Sequence, residues 1–313
     1  MISLIIPVCK NEESLPALLD ELTKLNTEFE GDFEVVFVVD GSPDNSYLIL
    51  AERLPTSPFS SQLISLSRNF GSFAAIRAGL DAAKGDYFAI MAADLQEPPG
   101  IILDFHRELS KGNADVVVGQ RTERADPLIA KIMSGVFWRL YRRLVNRDVP
   151  HGGVDIFGGT KQVRDRLLEL HESHSSLIGL LFWVGFRRSY VPYVRRPRLH
   201  GKSAWTFRRK LNYLLDSFMS FTDLPIRLLL YGGVLGVVFS VVFGVIVLAA
   251  RAAGAIDVPG YTPIVLALAF FGGINCLGLG VIGGYVWRSY ENTKSRPLFI
   301  KHIHLSFDKS EGT

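Results

Sequence analysis

The sequence predicts an α/β domain with a doubly wound, mostly parallel sheet, followed by two membrane-spanning helices. Strand-like runs alternate with helix-period segments through roughly the first 200 residues, which is the pattern of parallel strands joined by helical crossovers. The strand-like runs are almost continuously apolar, as expected when helices cover both faces of a sheet. Two long stretches near the C-terminus contain no charged residue.

The elements of the α/β domain are placed by these patterns. The predicted strands cover residues 3–7, 33–39, 62–66, 87–91 and 115–119. The predicted helices cover residues 15–29, 73–83 and 101–110. Ligands of such sheets bind beyond the carboxyl ends of the strands. We therefore expect the functional site in residues 7–13, 40–44 and 94–99, which are largely polar or acidic.

The two uncharged stretches are residues 228–250 and 262–287. At about 1.5 Å per residue, each is long enough as a helix to cross a hydrocarbon core of about 30 Å. Arg251 is the only basic residue of the loop between them, whereas both outer flanks contain several basic residues. The flanking residues are Arg208, Arg209, Lys210 and Arg227 on one side and Arg288, Lys294, Arg296 and Lys301 on the other. The positive-inside rule predicts a hairpin with both termini in the cytoplasm.

The domain boundaries follow from these stretches. We expect a cytoplasmic α/β domain at 1–205, an interfacial helix at 206–226, membrane helices at 227–251 and 262–288, and a cytoplasmic tail at 289–313. A second interfacial helix is expected at 128–145, with Trp138 and Tyr141 at headgroup depth. For both interfacial segments, the alternative is an ordinary helix packed on the core. The glycine pairs Gly232/Gly236 and Gly280/Gly284 slightly favour a homo-oligomer over packing within the hairpin.

The composition excludes several classes of protein. With 34 Lys plus Arg against 31 Asp plus Glu, the net charge of +3 gives no reason to expect nucleic-acid binding. The two cysteines, Cys9 and Cys276, are too few for a disulfide framework or a Cys-rich zinc site. The N-terminus opens on a strand-like run, so no cleavable signal peptide is expected.

Acidic turns follow two of the predicted strands. Asp40-Gly41-Ser42-Pro43-Asp44 is a tight turn whose last residue can cap a helix, and this structural role is as well supported as a binding role. Asp94 and Gln96 lie two residues apart on an extended stretch, so their oxygen atoms project to the same side. Such ligands suit Mg²⁺ or Mn²⁺ bridging the phosphates of a substrate.

Five segments, in this order and spacing, carry a resemblance to a known family. They are IPVCKNEESLPALL, VVDGSPDNS, LSRNFGSFAAIRAGLDAAKGD, MAADLQEPP and GQRTERAD. They resemble the inverting family 2 glycosyltransferases, which have a GT-A fold. With its two apolar stretches, the chain is similar to the polyprenyl-phosphate glycosyltransferases, such as the bactoprenol glucosyltransferases and the dolichol-phosphate mannose synthases. The resemblance implies transfer of one sugar from a nucleotide sugar to a polyprenyl phosphate, with a divalent cation.

The resemblance also implies roles for individual residues. Nucleotide contacts are implied for Pro7, Asn11, Glu12, Asp40 and Asp94, and Mg²⁺ or Mn²⁺ ligands for Asp94 and Gln96. Arg121, Arg124 and Asp126 are implied at the reacting centre, Asp126 as the residue that orients the acceptor or acts as base. Arg195, Arg198, Lys202 and Ser203 are implied as phosphate contacts on a loop. Forked arginine donors suit phosphate, although a solvated or membrane-surface charge cluster is the alternative.

Several positions depart from the family pattern. Val39 and Ala92 stand where the family has the first aspartate of its Asp-Asp-Gly-Ser and Asp-x-Asp signatures. Asp155-Ile156-Phe157 stands in place of Asp-Phe-Arg. These changes leave a catalytically inactive membrane scaffold open as an alternative. A processive polysaccharide synthase is another, but its Gln-x-x-Arg-Trp motif is absent.

The favoured interpretation is an inverting hexosyltransferase of the inner membrane. UDP-glucose is the expected donor and undecaprenyl phosphate the expected acceptor, with UDP-linked amino sugars and GDP-mannose left open. The acceptor is a phosphate monoester that is already anionic, so the protein must chiefly position the reactants and stabilise charge on the departing nucleotide diphosphate. A single displacement would invert the anomeric configuration.

Overall fold

The computed structural model describes residues 1–123, 135, 138–139, 141–143, 146–150, 153–172, 175–197, 207–254 and 260–309. The chain divides into two units, one formed by Met1–Ser217 with Arg296–Thr313 and the other by Phe218–Ser295. The first unit contains the whole sheet, and the second contains the two long apolar helices.

An eight-stranded sheet forms the centre of the first unit. Its strands are β1 (Ile2–Val8), β2 (Phe33–Val39), β3 (Ser60–Leu66), β4 (Tyr87–Ile90), β5 (Val116–Glu123), β6 (Phe157–Thr160), β7 (Arg188–Val194) and β8 (Lys301–Phe307). Their spatial order is β7-β5-β6-β4-β1-β2-β3-β8. Only β6 and β8 run antiparallel to their neighbours. The predicted, mostly parallel sheet is therefore confirmed, and all five predicted strands are present.

Helices of the first unit pack on the sheet through an apolar stripe. The helices with both ends among the described residues are α1 (Leu15–Glu28), α2 (Ser46–Arg53), α3 (Ser72–Ala82), α4 (Ile101–Ser110), α5 (Lys161–Glu169), α6 (Leu177–Trp183), α7 (Phe207–Phe221), α8 (Leu224–Ala252) and α9 (Tyr261–Thr293). In α1, Leu15, Leu18, Leu22 and Leu25 recur at three- or four-residue spacing and are all buried. The three helices predicted in this domain correspond to α1, α3 and α4.

Strands β6, β7 and β8 were not predicted, and β6 and β8 illustrate two different reasons. In β6, a Cβ atom at Gly158 would lie 2.6 Å from the Phe88 carbonyl oxygen, so glycine is needed where this strand approaches β4. Glycine has a low strand propensity, which hides the strand from sequence patterns. β8 is a polar edge strand that follows the apolar helices. It pairs with β3, and Lys301 Nζ lies 2.7 Å from Asp81 Oδ2.

An aromatic cluster joins the predicted interfacial segments to the core of the first unit. The Tyr141 ring stacks on the Tyr213 ring of α7 with centroids 6.0 Å apart, and the Tyr213 hydroxyl lies 2.7 Å from Ser176 Oγ. Tyr141 is fully buried. The ring is therefore covered by protein, as in the alternative of a helix packed on the core, and the interfacial placement of residues 128–145 stays a prediction.

The second unit contains α8 and α9. Within them, Leu224–Ile246 and Phe270–Thr293 are long and apolar enough to cross a membrane, and their most apolar windows contain no buried residue. Apolar helices that protein does not cover need another apolar environment. Two of the four glycines singled out above pack within this unit: Gly236 faces the Phe271 ring, and Gly284 faces Met219. Gly232 and Gly280 face open space.

Candidate active site

The candidate site lies at the carboxyl ends of the parallel strands. Eight of the predicted site residues are described by the structure: Pro7, Asn11, Glu12, Asp40, Asp94, Gln96, Arg121 and Arg195. Arg124, Asp126, Arg198, Lys202 and Ser203 lie outside the described residues. Pro7 is the penultimate residue of β1 and pairs in register with Val38 of β2.

The loops after β1 and β2 are joined around the Asp44 carboxylate. It accepts hydrogen bonds from the Ser42 hydroxyl (2.5 Å), the Glu12 backbone N–H (3.1 Å) and the Ser46 backbone N–H (3.2 Å). Burial alone would raise the pKa of Asp44, but these hydrogen bonds lower it below its ordinary value. The carboxylate therefore holds the two loops together as an ionised acceptor.

Asn11 and Glu12 complete this network. Asn11 Oδ1 accepts from the Cys9 N–H at 2.9 Å, and the Lys10 N–H donates to Ser42 Oγ at 2.7 Å. Glu12 Oε2 accepts from the N–H of Asn45, directly before α2, at 2.9 Å. Both predicted nucleotide contacts thus have a structural role in shaping the loops, and their contact with a nucleotide stays a prediction.

Asp40 connects β2 to the N-terminus of α3. Its two carboxylate oxygens accept from the backbone N–H groups of Phe70 (2.7 Å) and Gly71 (2.8 Å), and its carbonyl accepts from the Asn69 side chain at 2.9 Å. Asp40 is buried. Gly41 next to it has a φ of +54°, and a Cβ atom there would overlap the Asn69 backbone nitrogen. The turn after β2 therefore requires this glycine.

Asp94 and Gln96 lie on the turn after β4, where the sequence predicts a metal-binding site. The Gln96 backbone N–H lies 3.3 Å from Asp94 Oδ1. The Gln96 side-chain oxygen accepts from Arg195 Nη2 at 2.8 Å, and the backbone groups of Gln96 and Arg196 pair at 2.8 Å. Among the described residues, no group of three or more His, Cys, Asp or Glu side chains is placed to bind a metal.

Arginines and carboxylates meet beside this turn. Arg195 Nε lies 3.5 Å from Glu97 Oε1, and Arg121 forms an ion pair with Asp155. The Tyr193 hydroxyl also donates to Asp155 Oδ2, at 2.9 Å. Burial and the neighbouring Asp94 raise the pKa of Glu97, although Arg195 and Arg121 oppose this effect. The structure thus brings Asp94, Gln96, Arg121 and Arg195 into one cluster.

Three members of this cluster were assigned no role from the sequence: Glu97, Asp155 and Tyr193. Glu97 directly follows the Asp94-x-Gln96 pair, which was the available signal, but its ion-pair partner is an arginine almost 100 residues later in the chain. The sequence pattern singled out Asp155 only as the aspartate retained in Asp155-Ile156-Phe157, which departs from the family's Asp-Phe-Arg at its other two positions. Tyr193 lies on β7, a strand with a proline in its interior, which lowers its strand signal.

Comparison with known proteins identifies the family. The model of glycosyl transferase family 2 matches residues 3–170, more than half of the chain. The chain is 32% identical over 299 residues to the uncharacterized glycosyltransferase YkcC of Bacillus subtilis (strain 168), which covers 95% of this chain and 92% of that protein. It is 29% identical over 300 residues to the prophage bactoprenol glucosyl transferase homolog of Escherichia coli (strain K12), with 96% and 97% covered.

The fold has a solved counterpart in the glucosyl-3-phosphoglycerate synthase of Mycobacterium tuberculosis, which was crystallised with Mn²⁺, UDP-glucose and phosphoglyceric acid. The TM-score is 0.53 at 14% identity, over 70% of this chain and 79% of that one. This likeness supports the fold alone, and the expected GT-A architecture is confirmed. The chain belongs to glycosyl transferase family 2 and is a glycosyltransferase.

Proposed function

We propose that the protein transfers glucose from UDP-glucose to undecaprenyl phosphate at the cytoplasmic face of the membrane. The observation that carries this proposal is that the chain aligns with bactoprenol glucosyl transferases over nearly its whole length. Bactoprenol glucosyl transferases of Shigella phages SfII and SfV are 29% identical over 96% of this chain and 96% or more of their own length. The similarity therefore includes the apolar helices α8 and α9 as well as the sheet.

The cluster beside β4 suits this chemistry. A departing nucleotide diphosphate and a lipid phosphate both carry negative charge, and arginines bind phosphate oxygens with two parallel donors. Arg121 and Arg195 supply such donors within the described site, and we assign the same role to Arg124, Arg198, Lys202 and Ser203. The acceptor phosphate attacks the anomeric carbon directly, with Asp126 orienting it. The product then has the inverted configuration.

A divalent cation, Mg²⁺ or Mn²⁺, fits the turn after β4. Asp94 would offer a carboxylate oxygen to the cation. Gln96 would offer its amide oxygen through the lone pair that does not accept from Arg195 Nη2. Ala92 adds no ligand, so Asp94 is the single carboxylate of this signature. When bound, the cation neutralises charge on the departing diphosphate.

The decisive experiment for the function is a donor and acceptor screen. The purified full chain is incubated with radiolabelled UDP-glucose, UDP-N-acetylglucosamine or GDP-mannose, with and without undecaprenyl phosphate. We expect label from UDP-glucose in a lipid extract, only when the lipid phosphate is present. Label in a long polysaccharide would indicate a processive synthase instead. Absence of label with every donor would indicate an inactive scaffold.

The proposed topology places both termini in the cytoplasm and the loop of residues 251–261 outside. In a background with Cys9→Ser and Cys276→Ser, Ala255→Cys should react with an impermeant thiol reagent added to intact cells, and Ser310→Cys should not. Labelling of Ser310→Cys together with protection of Ala255→Cys would indicate the opposite topology, with both termini outside.

A further inference from the structure

We infer that Glu97 is a positioning residue, which holds the Arg195 guanidinium over the turn after β4 so that it can bind the diphosphate of the donor. This inference rests on the proposed function, because it gives Arg195 a donor phosphate to bind. Its evidence is the set of contacts that Glu97 and Arg195 make in the first unit.

Two neighbouring side chains on one turn fix the Arg195 guanidinium. Nη2 donates to Gln96 Oε1 at 2.8 Å, and Nε faces Glu97 Oε1 at 3.5 Å. Glu97 is only 1% exposed, whereas the Arg195 side chain is 28% exposed. One end of the ion pair is thus anchored in the protein interior, and the other reaches the edge of the site.

The cluster also contains buried polar atoms that form no hydrogen bond with the described residues, although Arg195 Nε keeps its ion-pair contact with Glu97. Within the described part of the chain, Glu97 Oε2, Arg195 Nε and Arg121 Nε have no hydrogen-bond partner. Leaving such atoms unsatisfied costs free energy, so native proteins keep few of them, and each calls for an explanation. A phosphate would accept hydrogen bonds from the exposed part of the Arg195 guanidinium, whereas Glu97 Oε2 is itself an acceptor and faces the arginine side of the cluster only through charge. Glu97 would then supply the negative charge that keeps the arginine in place before the donor arrives.

The cluster differs from ordinary ion pairs of the same sheet. Arg187 forms a bidentate pair with Asp115 at the start of β5, with Nε and Nη2 both bonded to the carboxylate. The Arg187 side chain is 63% exposed, and both partners lie at the opposite ends of the strands from Asp94. This pair therefore provides a matched control, because it has similar chemistry without access to the site.

The test is a double-mutant cycle on nucleotide binding and on kinetics. Glu97→Gln, Arg195→Gln and the double variant are made in the full chain, and the Kd for UDP with Mg²⁺ is measured by calorimetry. We expect each single variant to weaken UDP binding about tenfold, and the double variant to be no weaker than Arg195→Gln alone, because Glu97 acts through Arg195. The KM for the nucleotide sugar should rise similarly, with the KM for the lipid phosphate unchanged. Asp115→Asn should change none of these values.

Additive effects of the two substitutions, or unchanged UDP binding in a folded Glu97→Gln, would overturn the inference. If Glu97→Gln does not fold, Glu97→Asp replaces it: the carboxylate then lies one methylene farther from Arg195, and the same loss of UDP affinity is expected. Because UDP binding is measured without the lipid, failure of the wild type to glycosylate undecaprenyl phosphate would refute the proposed function and leave this inference standing.

Discussion

The loops after β1 and β2 differ from the cluster after β4 and β7 in how their polar atoms are satisfied. In the loops, the carboxylates of Glu12, Asp40 and Asp44 all accept hydrogen bonds from backbone N–H groups. In the cluster, carboxylates face arginine side chains, and Glu97 Oε2 and Arg121 Nε are buried without a hydrogen-bond partner among the described residues. We refer to these regions as the loop half and the arginine half of the site.

The difference separates residues that shape the site from residues that await a ligand. A carboxylate that accepts backbone N–H groups is satisfied as soon as the chain folds, so its replacement should reduce stability. An incompletely satisfied cluster gains hydrogen bonds only when a polar ligand arrives, so changes there should affect binding and rate more than stability. Substitutions in the two halves should therefore have different signatures.

The largest effect is expected for Asp94→Ala in the arginine half. Loss of the single carboxylate of the metal signature should reduce sugar transfer by about 100-fold or more at saturating donor, while the unfolding temperature stays near that of the wild type. The measurement is transfer rate across a Mg²⁺ or Mn²⁺ titration. Asp104→Ala is the matched control, because Asp104 is an exposed α4 residue paired with Arg107. Near-normal transfer by Asp94→Ala would remove this residue from the metal site.

Gly41→Ala should give the largest loss of stability in the loop half. The alanine must adopt a positive φ and also meet the backbone of Asn69, so we expect the free energy of unfolding to fall by about 2–4 kcal/mol. Gly112→Ala is the control, since Gly112 also has a positive φ (+72°) but has open space around its Cβ position. That variant should lose only about 1 kcal/mol. Equal losses at both positions would show that the contact with Asn69 is unimportant.

Asp40→Asn should have a smaller effect on stability. The amide can accept from only one of the Phe70 and Gly71 N–H groups and presents a donor to the other, so we expect a loss of about 1–3 kcal/mol. Denaturant unfolding of the full chain in detergent measures this loss. If stability is unchanged and UDP affinity falls, Asp40 contributes to ligand binding. It would then belong with the arginine half and not with the loop half.

The two halves were also unequally predictable from the sequence. Each of the strands β1 to β5 contains an apolar run, and the residues that follow β1, β2 and β4 could be located from these runs. Asp94 and Gln96 were found because they lie two residues apart directly after a predicted strand. The expectation of an extended stretch there was wrong, because Asp94 lies in a turn and Leu95 has a positive φ. Glu97 was missed because its role depends on Arg195, which only the parallel pairing of β5 with β7 brings close. Local sequence patterns therefore predicted where the loops lie, whereas the hydrogen-bond and ion-pair partners of their polar side chains depend on tertiary contacts.

Outside both halves, the β8 strand provides the smallest predicted effect, a pH dependence of stability. His304 Nε2 lies 2.7 Å from Gln62 Oε1, and Gln62 Nε2 in turn donates to the buried Glu34 at 2.7 Å. Burial, with the neighbouring Lys301 and Lys84, lowers the pKa of His304 below its ordinary 6.5, although Asp81 opposes this effect. The folded chain therefore binds a proton here less readily than the unfolded chain does.

Stability linked to His304 should accordingly be fully present above about pH 6.5 and be lost as the pH falls toward the lower pKa of the folded state. His106, whose ring packs against Phe29 and Tyr87, has a lowered pKa in the same direction, so His304→Gln should remove only part of the slope. The carboxylates of Asp44 and Asp115 have pKa values below 3.8 and affect stability only in a more acidic range. We expect the decrease in unfolding temperature between pH 7.5 and 5.5 to be smaller in His304→Gln than in the wild type. An identical decrease in both proteins would show that the β8 histidine carries no linked proton.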